Sequence, residues 1–224
     1  MISKKEIVRE QIKTVLLTYE KPSKYFIELR DKNELDEFFP EIKALIGVVQ
    51  SPIHHPEGDV FNHTMMVLDE AAKLRGDSKY PLGFMLSALC HDFGKVLTTT
   101  IKKDGKIISY NHERAGLGLV QKFLNRLIGK DEEKLKAYIL NMTKFHMQPN
   151  QLANQNSKLK STRKLFSQVI CSEDLILLAK ADALGRAIEQ NYLPKEIYLR
   201  NGLEDFYKYR KNNIEEVDSI KSKK

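Results

Sequence analysis

Hydrophobic residues recur at helical spacing along most of the chain, and this pattern predicts an α-helical protein. Residues 4–18 carry apolar side chains on one face and charged side chains on the other, and a second helical segment follows over residues 23–30. Helical periodicity then returns several times. We predict further helices over residues 59–74, 81–91, 112–128, 131–145, 162–170 and 173–189, and a final charged helix that begins near residue 194 and frays after about residue 210.

Three stretches interrupt this helical pattern. β-branched residues on both sides of Asp104-Gly105 predict one short β-hairpin near residues 96–110. Residues 47–58 are rich in proline and glycine and predict a loop, and the Asn- and Gln-rich residues 147–161 predict a second, longer loop. The predicted fold class is therefore all-α, with one hairpin. We divide it into an N-terminal helical segment over residues 1–45 that packs on a main domain over residues 46–190, and a charged C-terminal helical segment over residues 191–224.

The composition is that of a folded protein, because 42% of the 224 residues are hydrophobic and 30% are charged. The net charge of +7 is compatible with a polyanionic partner but does not require one. Cys90 and Cys171 are isolated in the sequence and predict buried thiols in a reducing compartment. Since no signal peptide or long apolar run is present, we expect a cytoplasmic protein with no membrane partner. The sequence indicates no oligomeric state.

The six histidines all lie between residues 54 and 146, mostly at the ends of predicted helices. Helices that pack side by side would bring these ends into one pocket. One strongly apolar helix ends in His91-Asp92, and burial of such a pair is costly unless something compensates for it. A metal ion compensates well, because it binds a neutral imidazole together with an ionised carboxylate. The alternative is a capped helix end with a satisfied core histidine.

Two imidazoles and two carboxylates make a suitable shell for a divalent first-row metal ion. The candidate ligands of this first ion are His63, His91, Asp92 and Asp182. His112 and His146 could supply a second ion, with Asp92 as the bridge, although each of these histidines taken singly is more often a helix-cap residue. The cofactor is therefore one divalent metal ion or two, with manganese, cobalt, nickel, iron, zinc and magnesium all compatible with the ligands.

The order of these residues resembles the HD superfamily of metal-dependent phosphohydrolases. Over residues 5–190 the chain is more narrowly similar to the HD domain attached to bacterial tRNA nucleotidyltransferases, the CCA-adding enzymes. The motifs that carry this resemblance are FPEI at 39–42, GV at 47–48, HPEGD at 55–59, HT at 63–64, HDFGK at 91–95, NHERAG at 111–116 and ADALGR at 181–186.

The sequence departs from that family in one important respect. There the HD domain follows a nucleotidyltransferase head, which carries a Gly-Gly turn and a paired-aspartate metal motif. This sequence contains neither Gly-Gly nor Asp-x-Asp and begins about where the resemblance does, so we do not expect nucleotide addition by that mechanism. The resemblance implies metal-dependent phosphodiesterase, 2′-nucleotidase or phosphatase activity, with 2′,3′-cyclic phosphates among the known substrates of the family.

Further polar residues fit that chemistry. Lys95 follows Asp92 by three residues and, if helical geometry persists, faces the same side and neutralises phosphate. Arg186 follows the carboxylate at position 182 by four residues, and either clamps phosphate or forms a salt bridge with that carboxylate. We therefore assign catalytic roles to Asp92, Lys95 and Arg186. Loop residues that would line the pocket are His55 and Glu57, which carry the resemblance, and His54, which does not.

Three functional hypotheses follow. The first is a phosphohydrolase that acts on a nucleotide or an RNA end, and the second keeps this chemistry but takes a free mononucleotide. The third is a non-catalytic module that binds tRNA or docks on a partner such as a separate nucleotidyltransferase, with the basic residues Lys158, Lys160, Arg163 and Lys164 on the phosphate backbone. The intact ligand set favours catalysis, because a binding module has no need of it.

Overall fold

The computed structural model describes residues 3–129 and 132–221, with the side chains of residues 214–221 excepted. Nearly all of its regular structure is helical, so the all-α prediction is confirmed. The helices are α1 (Lys4–Thr18), α2 (Ser23–Asp31), α3 (Pro40–Lys43), α4 (Val60–Leu74), α5 (Pro81–Cys90), α6 (Lys95–Thr98), α7 (His112–Ala115), α8 (Leu117–Leu127), α9 (Glu133–Phe145), α10 (Met147–Asn154), α11 (Leu159–Phe166), α12 (Ser172–Leu184) and α13 (Leu193–Lys221), with a short 3₁₀ helix over Arg75–Asp77. None of the described helices combines the length and the apolar character that a membrane span requires.

Helix α5 lies at the centre of the protein. Pro81 opens it, and every residue from Gly83 to Cys90 is buried. A helix that is apolar on all sides must be surrounded by other elements, and α5 packs against α1, α4, α9 and α12. Since α4 and α9 both contact α5 and α12, these four helices form the body whose ends position the histidines.

The terminal segments pack on this body. Helix α1 begins with a capping box in which the Ser3 hydroxyl accepts from the Glu6 backbone, and the helix contacts α5 and α8. The buried Glu41 receives two hydrogen bonds from Arg126 of α8, at 2.7 and 2.8 Å. At the other end, α13 packs against α10, α11 and α12. The fraying predicted after about residue 210 was wrong for the backbone, because α13 continues as a helix to Lys221.

The predicted hairpin is confirmed but is shorter than expected. Its strands are β1 (Thr100–Ile101) and β2 (Ile107–Ile108), which pair antiparallel. Gly105 has a φ of +82°, and the Asp104 carboxylate accepts from the Lys106 backbone at 3.0 Å, so this pair forms the turn as the sequence indicated. Residues 95–98, whose end was predicted to belong to the first strand, form helix α6 instead.

Several helix boundaries differ from the predicted ones, including that of the helix predicted over residues 162–170, which runs from Leu159 to Phe166. The predicted loop over residues 147–161 was wrong, because it contains α10 and the start of α11. Pro149 lies in the first turn of α10, where its missing N–H would have no partner in any case, and the Asn150 side chain donates to the Ala179 carbonyl at 2.8 Å. The predicted helix over residues 112–128 is divided at Gly116, and α12 ends at Leu184, so that Arg186 follows the helix.

Candidate metal centre

The ends of five helices meet at one buried cluster of imidazoles and carboxylates. The Asp59 side chain caps α4 by accepting from the Asn62 backbone at 2.9 Å, which places the next residue, His63, inside the body. The other members lie at the end of α5, at the start of α7, at the end of α9 and near the end of α12. All are at most 5% exposed: His63, His91, Asp92, His112, His146 and Asp182. The structure thus brings together all six candidate ligands named from the sequence.

Hydrogen bonds on the outer side of the cluster orient the imidazoles. The Nδ1 atoms of His91, His112 and His146 lie 2.7 to 2.8 Å from the carbonyl oxygens of Ala88, Ser109 and Thr143, respectively. A carbonyl oxygen only accepts, so each Nδ1 must carry the proton and donate it. Nδ1 of His63 lies in the same way 2.9 Å from Glu57 Oε1. Each of the four rings therefore presents Nε2 to the interior, as metal-ligating histidines do.

Asp92 lies between two groups of imidazoles. Its Oδ2 is 3.2 Å from His91 Nε2 and 3.7 Å from His63 Nε2. Its Oδ1 is 3.1 Å from His112 Nε2 and 3.8 Å from His146 Nε2. One carboxylate oxygen thus faces each pair of rings, which is the arrangement expected of a carboxylate that bridges two cations.

Asp182 completes the group around His63. Its Oδ1 lies 3.2 Å from His63 Nε2. Burial alone would raise the pKa of both Asp92 and Asp182, but neighbouring cations and imidazole hydrogen bonds hold both pKa values well below the usual range. Both carboxylates are therefore ionised at neutral pH, as metal ligands must be.

The imidazoles differ in their protonation. Burial, together with the charges of His91 and His112, lowers the pKa of His146 to about 3. His146 is therefore neutral. Burial also opposes the charged form of His91 and His112, but the Asp92 carboxylate outweighs burial and raises the pKa of both rings. The raised pKa favours the protonated form of these two rings, and a metal ion that binds through Nε2 must displace that proton.

The unpartnered atoms of the cluster fit a divalent cation. The sets His63, His91, Asp92 and Asp92, His112, His146 each have ligand atoms within 4.8 Å of one another. His91 Nε2 and Asp92 Oδ2 are buried, and within the described part of the chain neither has a hydrogen-bond partner of acceptable geometry, although Lys95 Nζ lies 2.7 Å from Asp92 Oδ2. His112 Nε2 and His146 Nε2 lie 3.3 Å apart, and both Nδ1 atoms are already donors. When both rings are neutral, two lone pairs face each other, an arrangement that either a proton or a metal cation relieves.

Two glycines permit this convergence. A Cβ on Gly94 would lie 1.9 Å from the His112 carbonyl oxygen, so only glycine lets α7 approach the residues that follow Asp92. A Cβ on Gly185 would lie 2.5 Å from a side-chain carbon of Val67, so only glycine lets the end of α12 approach α4 this closely. Both glycines therefore position candidate ligands without contacting a metal themselves.

Comparison with known proteins agrees with this geometry. The HD domain family matches residues 60–187, which is more than half of the chain. The chain belongs to the HD family. Similar curated proteins include the Multifunctional CCA proteins of Mannheimia succiniciproducens (33% identical over 80% of this chain and 43% of that protein), Actinobacillus pleuropneumoniae serotype 5b (34%, 74% and 40%) and Methylococcus capsulatus (33%, 80% and 41%). The chain thus spans about two fifths of the length of these relatives.

A cavity of about 200 Å³ opens beside the HD pair His91-Asp92. The sequence-predicted residues that line it are His54, His55, Asp92, Lys95, His112, Asp182 and Arg186. The Lys95 ammonium lies 2.7 Å from Asp92 Oδ2. An Arg186 guanidinium nitrogen lies 3.7 Å from Asp182 Oδ1, so the two residues form the predicted ion pair, at a distance too long for a hydrogen bond. The role of Arg186 in binding phosphate stays a prediction.

Glu57 occupies a different place from the one its loop suggested. Its Oε1 accepts from Nδ1 of both His55 and His63, at 2.8 and 2.9 Å, and its Oε2 accepts from the Ala187 backbone. These bonds lower the pKa of Glu57 to about 2, against the opposing effect of burial. Glu57 does not line the cavity; it lies behind the HD-family histidine His63 and orients it.

Sequence reasoning missed three polar residues of the cavity, Gln50, Ser51 and Ser109, and among them Gln50 is buried. The Oε1 atom of Gln50 accepts from Lys95 Nζ at 2.6 Å. Nothing in its surroundings in the sequence singles it out, because it lies in an irregular segment without periodicity or a metal-ligand spacing. Its contact with Lys95 spans 45 residues and arises from packing alone.

The metal affinity of the HD site should fall steeply as the pH is lowered from 8 to 6. The pKa values of His91 and His112 are raised, so below them both rings are protonated and metal binding must release two protons. Each released proton costs up to about tenfold in affinity per pH unit, which gives up to about 100-fold per pH unit for the pair while both rings are protonated. Calorimetric titration with Mn²⁺ at pH 8, 7 and 6 measures this slope. A constant affinity over this range would contradict histidine ligation.

Proposed function

We propose that this protein is a metal-dependent phosphohydrolase that acts on the phosphomonoester or phosphodiester of a nucleotide or an RNA end. The observation that carries the proposal is the position of Asp92, whose two oxygens face two pairs of imidazoles while Lys95 lies 2.7 Å away. Membership of the HD family supports the metal-dependent hydrolase class. A protein that only binds RNA would have no use for a buried cluster of six ligand side chains, three of which line one cavity.

We assign the side chains as follows. One or two divalent ions would be held by His63, His91, Asp92, Asp182, His112 and His146. When bound, such an ion polarises a phosphate oxygen and lowers the pKa of water toward neutrality, which supplies a nucleophile. Lys95, which lines the cavity beside Asp92, stabilises negative charge on a phosphate oxygen. Arg186 and His55 line the mouth, where the guanidinium binds the phosphate and the imidazole, whose pKa burial lowers to about 4, is neutral.

The proposal is tested by metal content and a hydrolysis screen. We expect the purified protein to bind Mn²⁺, Co²⁺ or Ni²⁺ and, when supplemented, to hydrolyse at least one of bis-p-nitrophenyl phosphate, 2′,3′-cyclic AMP and 2′-AMP. The first two are diesters and the third is a monoester, so the rates separate phosphodiesterase from phosphatase activity. A protein that binds none of these ions and hydrolyses none of these compounds would refute the proposal and favour a binding module, which a tRNA-binding assay would then examine.

The hairpin beside the cavity favours an RNA end over a free mononucleotide. Ile107 and Ser109 line the cavity, so strand β2 forms part of the mouth. The hairpin exposes three lysines, at positions 102, 103 and 106, and is followed by Tyr110, which is 64% exposed. Exposed lysines beside an aromatic ring suit a single-stranded nucleic acid, because the lysines contact phosphates while the ring stacks on a base.

Charge reversal in the hairpin should therefore affect long substrates and spare small ones. We expect Lys102→Glu with Lys103→Glu and Lys106→Glu to raise KM for a short RNA with a terminal 2′,3′-cyclic phosphate by about tenfold or more at low salt, with KM for 2′,3′-cyclic AMP changed less than threefold. The matched control is Lys158→Glu with Lys160→Glu and Lys164→Glu, which reverses the same charge on α11 and the residue that precedes it. Equal effects on both substrates would indicate a mononucleotidase, and an effect of the control alone would move the RNA to α11.

A further inference from the structure

Gln50 is fixed in the wall of the cavity by its contact with Lys95. The side chain is only 7% exposed, and its Oε1 accepts from the Lys95 ammonium at 2.6 Å. An ammonium group has hydrogens to donate and no lone pair, so the contact determines which end of the amide is the oxygen. The amide nitrogen of Gln50 must therefore point away from Lys95.

Two nitrogen donors of this wall lack an acceptor among the residues that the structure describes. Gln50 Nε2 is buried and has no hydrogen-bond partner, and the same is true of Arg186 Nε. Both residues line the 200 Å³ cavity beside Asp92. Buried N–H groups are almost always paired, so two donors on residues that line one cavity, with no acceptor in the described ranges, indicate that a bound molecule supplies the acceptor.

We propose that Gln50 Nε2 and Arg186 Nε form an oxyanion subsite that binds a non-bridging oxygen of a phosphoryl group. The inference rests on the proposed function and adds to it the neutral side-chain amide of Gln50, which makes two contacts at once. Through Oε1 Gln50 holds Lys95 beside Asp92, and through Nε2 it binds the ligand. Phosphate monoesters and diesters both offer non-bridging oxygens. The subsite therefore recognises the phosphoryl group and does not select among leaving groups.

Two variants separate these two contacts. Gln50→Glu keeps an oxygen for Lys95 and removes the N–H₂ donor, whereas Gln50→Leu removes both groups without adding charge. We expect both variants to weaken binding of inorganic phosphate by about tenfold to a hundredfold, the range for a hydrogen bond to a charged group. We expect KM for bis-p-nitrophenyl phosphate to rise by a similar factor. Circular dichroism and Mn²⁺ content should match those of the unaltered protein.

The binding measurement is made by calorimetry with inorganic phosphate, both with and without Mn²⁺, so it does not depend on hydrolysis. Loss of binding in Gln50→Leu alone would overturn the donor role and leave Gln50 as a positioning residue for Lys95. Loss of phosphate binding in Gln50→Glu alone would show repulsion by the new charge and would also overturn the donor role. Absence of phosphate binding by the unaltered protein would overturn it as well. If the unaltered protein hydrolyses no ester but the two variants still lose phosphate, the subsite stands and the proposed function fails.

Discussion

Replacement of Asp92 by asparagine should abolish metal-dependent hydrolysis while the helical fold survives. The amide has the size of the carboxylate but offers one oxygen without the negative charge, whereas the two oxygens of Asp92 face two separate pairs of imidazoles. Since loss of a group that merely supports a ligand costs 10- to 100-fold in metal affinity, we expect at least about 100-fold here and a larger loss of kcat/KM. Mn²⁺ titration, hydrolysis of bis-p-nitrophenyl phosphate and far-ultraviolet circular dichroism measure the three quantities.

Asp174→Asn is the matched control for this change. Asp174 is also buried on α12, eight residues before Asp182 and so about 12 Å along the helix. It accepts hydrogen bonds from the Tyr138 hydroxyl, the Ser78 hydroxyl and two backbone N–H groups, and it has no contact with the imidazoles. We expect this variant to lower the Tm and to leave metal affinity within about threefold. Retention of metal and activity by Asp92→Asn would remove the proposed site.

Replacement of Gly94 by alanine should destabilise the protein and weaken its metal site together. The added Cβ would lie 1.9 Å from the His112 carbonyl oxygen and 2.7 Å from the Gly116 nitrogen. Both are backbone atoms that no side-chain rotation can clear, so helix α7 must move, and His112 must move with it. We expect the free energy of unfolding to fall by about 3 kcal/mol, which corresponds to roughly 6–12 °C in Tm for a chain of this size.

Gly118→Ala provides the control for Gly94→Ala. A Cβ at Gly118 would meet no atom within 4 Å, and the residue lies in α8, where alanine is the better helix former by about 1 kcal/mol. We expect an unchanged or slightly higher Tm and normal Mn²⁺ affinity, both measured alongside Gly94→Ala. A Gly94→Ala protein with normal stability and normal affinity would show that α7 tolerates displacement and that His112 is no ligand.

Sequence periodicity predicted the elements with long, regular apolar faces. The α1 helix was placed at 4–18, and the residues around Asp104-Gly105 were assigned to a hairpin, because these signals are local and depend on few neighbours. Short elements were predicted less well. Helix α10 was missed because its stabilisation comes from distant partners, such as the Ala179 carbonyl that accepts from Asn150, which polar composition does not reveal.

The candidate site divides in the same way. His-Asp spacing and helix ends identified the six side chains that converge, since imidazoles and carboxylates placed at the ends of apolar helices are costly to bury alone. The partners of these residues were not predictable. Glu57 was expected to face substrate but lies behind His63, and the contact between Gln50 and Lys95 had no signal at all.

The sequence was sufficient for the all-α class, the hairpin, the family and the types of residue in the site. Packing alone established which Asp92 oxygen faces which imidazole, where Glu57 lies, and that Gly94 lets α7 come close enough for His112 to reach Asp92. The reason is physical: periodicity reports which face of a helix avoids water, and that preference is nearly the same for any apolar neighbour. The distances between atoms far apart in the chain depend on how those faces interlock, which is a property of the whole fold.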